Sequence, residues 1–134
     1  MKLLFGVFLI AHALIHVSYL TPPPPRTAGG PEWPFELTRS WLVTGFAVDP
    51  GVARSAGAML VIVTAILLVA AGLSTLGIGI PVSWWPNLVV AGAVASALTL
   101  ALYFHPWLAL GLVIDAALLY AVLVAQWTPV AVVR

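Results

Sequence analysis

Cysteine is absent from this 134-residue chain, which excludes a disulfide framework, thiolate metal ligands, a lipidated cysteine and a catalytic thiol. Charge is scarce as well. Five Lys and Arg and four Asp and Glu make up 7% of the residues, where an ordinary soluble domain is roughly a quarter charged. That excludes a water-soluble domain, and a hydrophobic share of 63% excludes disorder. A net charge of +1 without a basic stripe leaves nucleic acid nothing to bind. Phosphate loop, nucleophile elbow and paired catalytic carboxylates are all missing from the sequence, so no catalytic residue can be named.

The placement of the few charges is informative. Six of the nine (Arg26, Glu32, Glu36, Arg39, Asp49 and Arg54) lie between positions 26 and 54, Lys2 and Arg134 lie at the ends, and Asp115 alone interrupts residues 55–133. A helix crossing a bilayer needs about 20 mostly apolar residues, and four stretches qualify: 3–20, 55–76, 84–104 and 107–127. The last two are separated only by His105-Pro106-Trp107, where proline disfavours helix in the residue before it and suits a first helical position. Gly77-Ile78-Gly79-Ile80-Pro81 breaks the chain between the second and third, and Asp49-Pro50 caps the start of the second. The apolar runs lack the period-two alternation of a barrel wall. The expected fold is all-α: one integral-membrane domain over residues 1–134, a four-helix transmembrane bundle with one long extramembrane loop, 21–53.

That loop opens with Thr21-Pro22-Pro23-Pro24-Pro25, a polyproline II spacer, followed by Gly29-Gly30-Pro31. Trp33 and Trp41 beside charges, and Trp84, Trp85, Trp107 and Trp127 at helix ends, read as anchors at headgroup depth. A short interfacial helix is expected within residues 35–47. Lys2 followed by an apolar stretch also resembles a secretory leader. His12 and His16 interrupt that stretch, however, and Val17-Ser18-Tyr19 is a poor cleavage site, so the helix is expected to be retained. Lys2 and the terminal amine abut the first helix and place both termini in the cytoplasm, although the loop carries three arginines against two basic residues at the termini. The expected location is a bacterial inner or cell membrane.

The first span carries Phe5, Phe8, His12, His16 and Tyr19 at spacings of 3, 4, 4 and 3, which puts every ring on one face. A His-x-x-x-His pair can reach one metal ion, or be a pair of neutral histidines bonded to neighbouring helices. Asp115 is the most informative single residue, because a carboxylate inside a span is costly and by default functional or paired. It can exchange a proton, partner a metal or histidine, or hold helices together. His12 and Asp115 each lie eight residues from the loop-side end of their spans, about 12 Å down at 1.5 Å per residue. His16 and His105 lie nearer that face. In an up-down bundle with the first and fourth spans as neighbours, His12 can therefore pair with Asp115 near mid-depth and His16 with His105 above them, whichever way the chain is inserted.

Small residues recur at four-residue spacing on the third span, Ala93, Ala97 and Ala101 beside Gly92 and Ser96. With Gly111 and with Ala117, Ala121 and Ala125 on the fourth, they permit close helix packing. The run Ala11-His12-Ala13-Leu14-Ile15-His16 resembles the first helix of small, uncharacterised bacterial four-helix membrane proteins, a resemblance that covers one helix and the general layout and implies no activity.

Three functions are compatible with these features. The first is a non-catalytic accessory or assembly subunit whose ring stripe and small-residue faces pack against other membrane subunits or a second copy. The second is a proton- or cation-coupled transporter or channel-like protein using Asp115 and His12. The third is a haem-b or divalent-metal protein using His12, His16 and His105, with His16 and His105 the best-matched axial pair by depth.

Overall fold

The computed structural model describes residues 1–25, 28–30 and 32–129. Arg26 and Arg134, which enter the orientation count, and Pro31 lie outside the described residues. Within them the chain is all-helical and contains no strand: α1 (Lys2–Val17), α2 (Trp41–Phe46), α3 (Pro50–Leu76), α4 (Trp85–Leu102) and α5 (Ala109–Leu123). With the short 3-10 turns that adjoin them, four stretches are long and apolar enough to cross a membrane: Lys2–Leu20, Pro50–Leu76, Val82–Leu102 and Pro106–Leu123.

Local chemistry sets most of the boundaries. Asp49 accepts from the backbone N–H groups of Gly51 (2.9 Å) and Val52 (3.0 Å), and Pro50 occupies the first turn, so α3 begins five residues before the expected span. Gly77 ends α3 at φ 73°, a left-handed conformation that glycine adopts without a Cβ penalty, and Ile78 N–H then closes on Leu73 O at 2.9 Å. The Ser74 hydroxyl donates to Pro81 O at 2.9 Å and ties the α3–α4 turn shut. The fourth span is shorter than expected. Gln126 turns left-handed at φ 48° and Trp127 N–H bonds back to Ala121 O at 2.9 Å, so the helix stops at Leu123 and not at 127.

The interfacial helix expected over 35–47 contracts to Trp41–Phe46. Ser40 caps it by accepting from Leu42 N–H and donates its own hydroxyl to Leu102 O at 2.8 Å. The Trp41 indole N–H donates to Ala101 O at 2.7 Å. α2 therefore supplies donors to two carbonyls at the end of α4 that have no partner within their own helix. Earlier in the loop Arg39 holds Glu32 and Glu36, and the Glu32 carboxylate raises the guanidinium above its ordinary pKa.

Backbone packing is serial, α1 on α3, α3 on α4 and α4 on α5. Two apolar clusters result. Leu9, Leu68, Trp85, Val89, Ala93 and Leu118 form one toward the chain ends. Tyr19, Leu37, Val61, Leu100, Tyr103 and Leu108 form the other toward the long loop. Trp85, expected as an interfacial anchor, belongs to the first of these and is 1% exposed, because Phe5 and Trp127 close over its ring. Trp127 is half-buried against the same rings and Trp33 against Phe35, whereas Trp41, Trp84 and Trp107 are exposed. On α4 the buried small residues are Gly92, Ala93, Ala95 and Ser96, while Ala97 is half-buried and Ala101 exposed. Ala117 and Ala125 are exposed as well, so the four-residue repeat reads only part of the packed surface.

In the loop-side cluster the Tyr103 hydroxyl donates to Ala53 O, and its ring lies where a Cβ on Gly57 would sit, at 2.6 Å. This bond pins the end of α4 to the start of α3. Tyr103→Phe should lower stability in detergent by about 1 kcal/mol, the worth of one internal hydrogen bond, as read by thermal unfolding. A melting temperature equal to wild type would show that the bond contributes nothing net.

Candidate functional site: a buried polar network across three helices

Between the two apolar clusters lies the only titratable cluster buried inside the bundle among the described residues. Its members come from three helices, His12 and His16 from α1, Ser96 from α4 and Asp115 from α5. Each helix places its residue midway between cluster residues of the same face. Ser96 falls between Ala93 and Leu100, Asp115 between Leu108 and Leu118, and the histidines between Leu9 and Tyr19. All four are buried, Asp115 and Ser96 at 0% exposure, His16 at 1% and His12 at 5%.

The four side chains form one continuous chain of hydrogen bonds. His12 Nε2 lies 3.1 Å from Asp115 Oδ1. The Ser96 hydroxyl donates to Asp115 Oδ2 at 2.5 Å, and Ser96 Oγ lies 2.8 Å from His16 Nε2. Gly111, one turn before Asp115, has no Cβ where Leu100 Cδ1 of α4 approaches, at 2.7 Å from where that atom would be. This lets α5 close on α4 and brings the carboxylate to the serine. The histidine rings are held edge-on to each other at 5.3 Å, with Phe8 stacked on His12 at 6.1 Å and Tyr19 on His16 at 6.5 Å. The ring stripe thus faces the interior from His12 to Tyr19, while Phe8 at its outer part is 39% exposed.

No family model, curated protein or solved structure matches this chain.

The arrangement is defined by its protons. A serine hydroxyl carries one hydrogen. With that hydrogen on Asp115 Oδ2, Ser96 can only accept from His16, so His16 carries its proton on Nε2. The opposite polarity is equally well bonded: a protonated Asp115 donates to Ser96, Ser96 donates to His16 Nε2, and the imidazole proton moves to Nδ1. Passage between the two polarities needs no heavy-atom movement. A proton arriving at His16 Nδ1 releases the one on Nε2 to Ser96 Oγ, and the serine hydrogen passes to Asp115 Oδ2. The net result is one proton gained and one carboxylate neutralised. In the present arrangement His16 Nδ1 is buried and makes no hydrogen bond.

The depth pairing therefore places His12 with Asp115, but His16 meets Ser96 and not His105. His105 is half-buried at the α4–α5 turn, where its Nδ1 accepts from Trp107 N–H at 3.2 Å and caps the 3-10 turn that begins at Pro106. His16 and His105 are thus each engaged with other partners, and among the described residues no three His, Asp or Glu side chains come together as a metal site would require. Ser96 is the member that sequence reasoning did not assign to the site. Its one signal was a hydroxyl within a run of Ala and Gly, where any buried donor must find an acceptor.

Proposed function

We propose that this chain is a small multi-pass membrane protein whose His12–Asp115–Ser96–His16 network takes up and releases a proton at mid-depth, as the central element of proton-coupled transport. The observation that carries the reading is the unbroken hydrogen-bonded chain from His12 to His16 through a carboxylate that is fully buried. An ionisable group within a span marks an ion or proton pathway by default. Each member can either hold a proton or pass one. A proton suits the network better than a metal cation, since a hard cation needs six or more oxygen ligands and three oxygens are present in the quartet. The membrane assignment rests on the four long apolar helices, and the orientation with cytoplasmic termini rests only on the positive charge that abuts the first helix.

The test is proton flux into proteoliposomes after a pH step, read by an enclosed pH-sensitive dye. Wild-type protein should conduct protons well above empty vesicles, and Asp115→Asn should reduce that flux at least tenfold, because an amide does not exchange a proton in this range. Equal flux from wild type and Asp115→Asn would leave the network as a purely structural fastening.

One observation supports the accessory-subunit reading. Asp115 and Leu118 are the only buried residues of α5, and Leu110, Val113, Tyr120 and Leu123 lie exposed on it. This exposed apolar face is the surface that a partner membrane subunit or a second copy would cover.

A further inference from the structure

We propose that the loop-side half of the proton's path runs through Tyr19, which separates the buried network from a cavity beneath the long loop that Glu36, Thr38 and Arg54 help to line. This inference rests on the proton-exchange reading above and adds to it the route and the side of entry.

The two ends of the network differ in chemistry. Beyond His16, Tyr19 stacks at 6.5 Å and is 4% exposed. Its hydroxyl, like His16 Nδ1, is buried without a hydrogen-bond partner. A third such atom, Thr64 Oγ1, belongs to α3. α1 and α3 run antiparallel with Gly6 against Gly72, so counting eight residues toward the loop on each helix puts Thr64 level with Leu14, between His12 and His16. Two unpartnered polar atoms, on His16 and Tyr19, therefore lie at the loop-side end of the network, and the Thr64 hydroxyl lies level with its middle. Buried polar groups are ordinarily satisfied, and each exception requires a cause. Here the cause is transient use: these atoms are bonded when a proton or a water passes.

On its far side Tyr19 lines a cavity of about 360 Å³ under the long loop, together with Glu36, Thr38 and Arg54. A tyrosine hydroxyl both donates and accepts. It can take a proton from water in that cavity while giving its own to His16 Nδ1, leaving the hydroxyl unchanged and His16 cationic until Nε2–H is released to Ser96. Glu36, already paired with Arg39, and Arg54 are the charged groups facing the cavity; His12 and Asp115 are the titratable groups on the inner side.

The opposite end is closed to protons in this structure. Phe8 stacks on His12, and Phe5, Trp85 and Trp127 lie in mutual contact at 5.0–6.1 Å behind it. The adjoining cavity of about 230 Å³ is lined by apolar side chains and these rings. Its one unpartnered polar atom, Trp85 Nε1, is a donor only and cannot receive a proton.

Two variants test the route, and the absence of native cysteine makes the second specific. Tyr19→Phe removes one oxygen and should lower proton flux at least tenfold, with little change in melting temperature. Tyr19→Cys should be modified by a membrane-impermeant sulfonated methanethiosulfonate added on the loop face and not on the other, and modification should stop the residual flux. Phe8→Cys, on the sealed side, should remain unmodified from either face. If Asp115→Asn abolishes flux while Tyr19→Phe conducts like wild type and position 19 does not react from the loop face, the route is wrong and the proton-exchange reading stands. If Asp115→Asn conducts like wild type, the reading and the route fall together.

Discussion

Asp115→Leu should be among the most destabilising single substitutions in the chain, lowering the unfolding free energy in detergent by about 2 kcal/mol. The carboxylate serves two partners, His12 Nε2 at 3.1 Å and the Ser96 hydroxyl at 2.5 Å. Leucine strands the His12 donor and forces the Ser96 hydroxyl to turn to His16, and a buried donor without an acceptor costs about 1–3 kcal/mol in a soluble interior. Hydrogen bonds between membrane helices average nearer 0.6 kcal/mol, because separated helices find other partners, which places the sum toward the lower end. Asp115→Asn should be much milder. It keeps a carbonyl oxygen for His12, and the Ser96 hydroxyl can turn toward His16. Stability and proton flux should therefore part company in the asparagine variant, with near-normal melting and little conduction. The double variant His12→Leu with Asp115→Leu should recover part of the loss by removing the stranded donor. Strictly additive effects in that cycle would show that the two residues do not interact.

Gly72→Ala should have the second large effect, about 2 kcal/mol within the usual range of 1–3 kcal/mol for overpacking. A Cβ there would stand 2.8 Å from the backbone oxygen of Gly6 and 2.6 Å from Ile10 Cγ1. A backbone oxygen cannot swing aside, so α1 and α3 must separate. The displacement carries His12 and His16 with it, and proton flux should fall along with the melting temperature. Gly92→Ala is the informative comparison, since its nearest neighbour is the movable side chain of Leu68 at 2.7 Å. Gly45→Ala, with open space around the added carbon, should be close to neutral. Equal melting temperatures for Gly72→Ala and Gly45→Ala would show that the α1–α3 contact is loose.

What the sequence made legible follows from the range of each physical signal. Hydropathy sums over about 20 residues, so the four long helices could be read directly, and Asp49-Pro50 and Gly77 marked ends because caps are local. The pairing of His12 with Asp115 followed from rise per residue together with an up-down order that makes the first and fourth spans neighbours, since depth is additive along straight helices. Features set by which faces meet could not be read this way. Trp85 looks like an interfacial ring by position, yet Phe5 from one helix and Trp127 from beyond another bury it. His105 has the right depth to meet His16, but a backbone N–H two residues away claims its free nitrogen. Ser96 sits in a stripe of small residues whose role as a packing surface obscured its hydroxyl, and choosing between the two requires knowing that this face of α4 meets side chains of both α1 and α5.

The unequal helix lengths have a consequence for the surrounding lipid. At 1.5 Å per residue, the 27 residues of Pro50–Leu76 make about 40 Å and the 18 of Pro106–Leu123 about 27 Å, against a hydrocarbon layer of about 30 Å. A bundle with these two flanks in a bilayer would have to tilt its long helix, while the short one would span with nothing to spare. Asp115 lies six residues after the start of α5 and eight before its end. The carboxylate would therefore stand close to the middle of the flank with the least apolar length to spare, so any local thinning of the lipid would shorten the distance from Asp115 to headgroups and water.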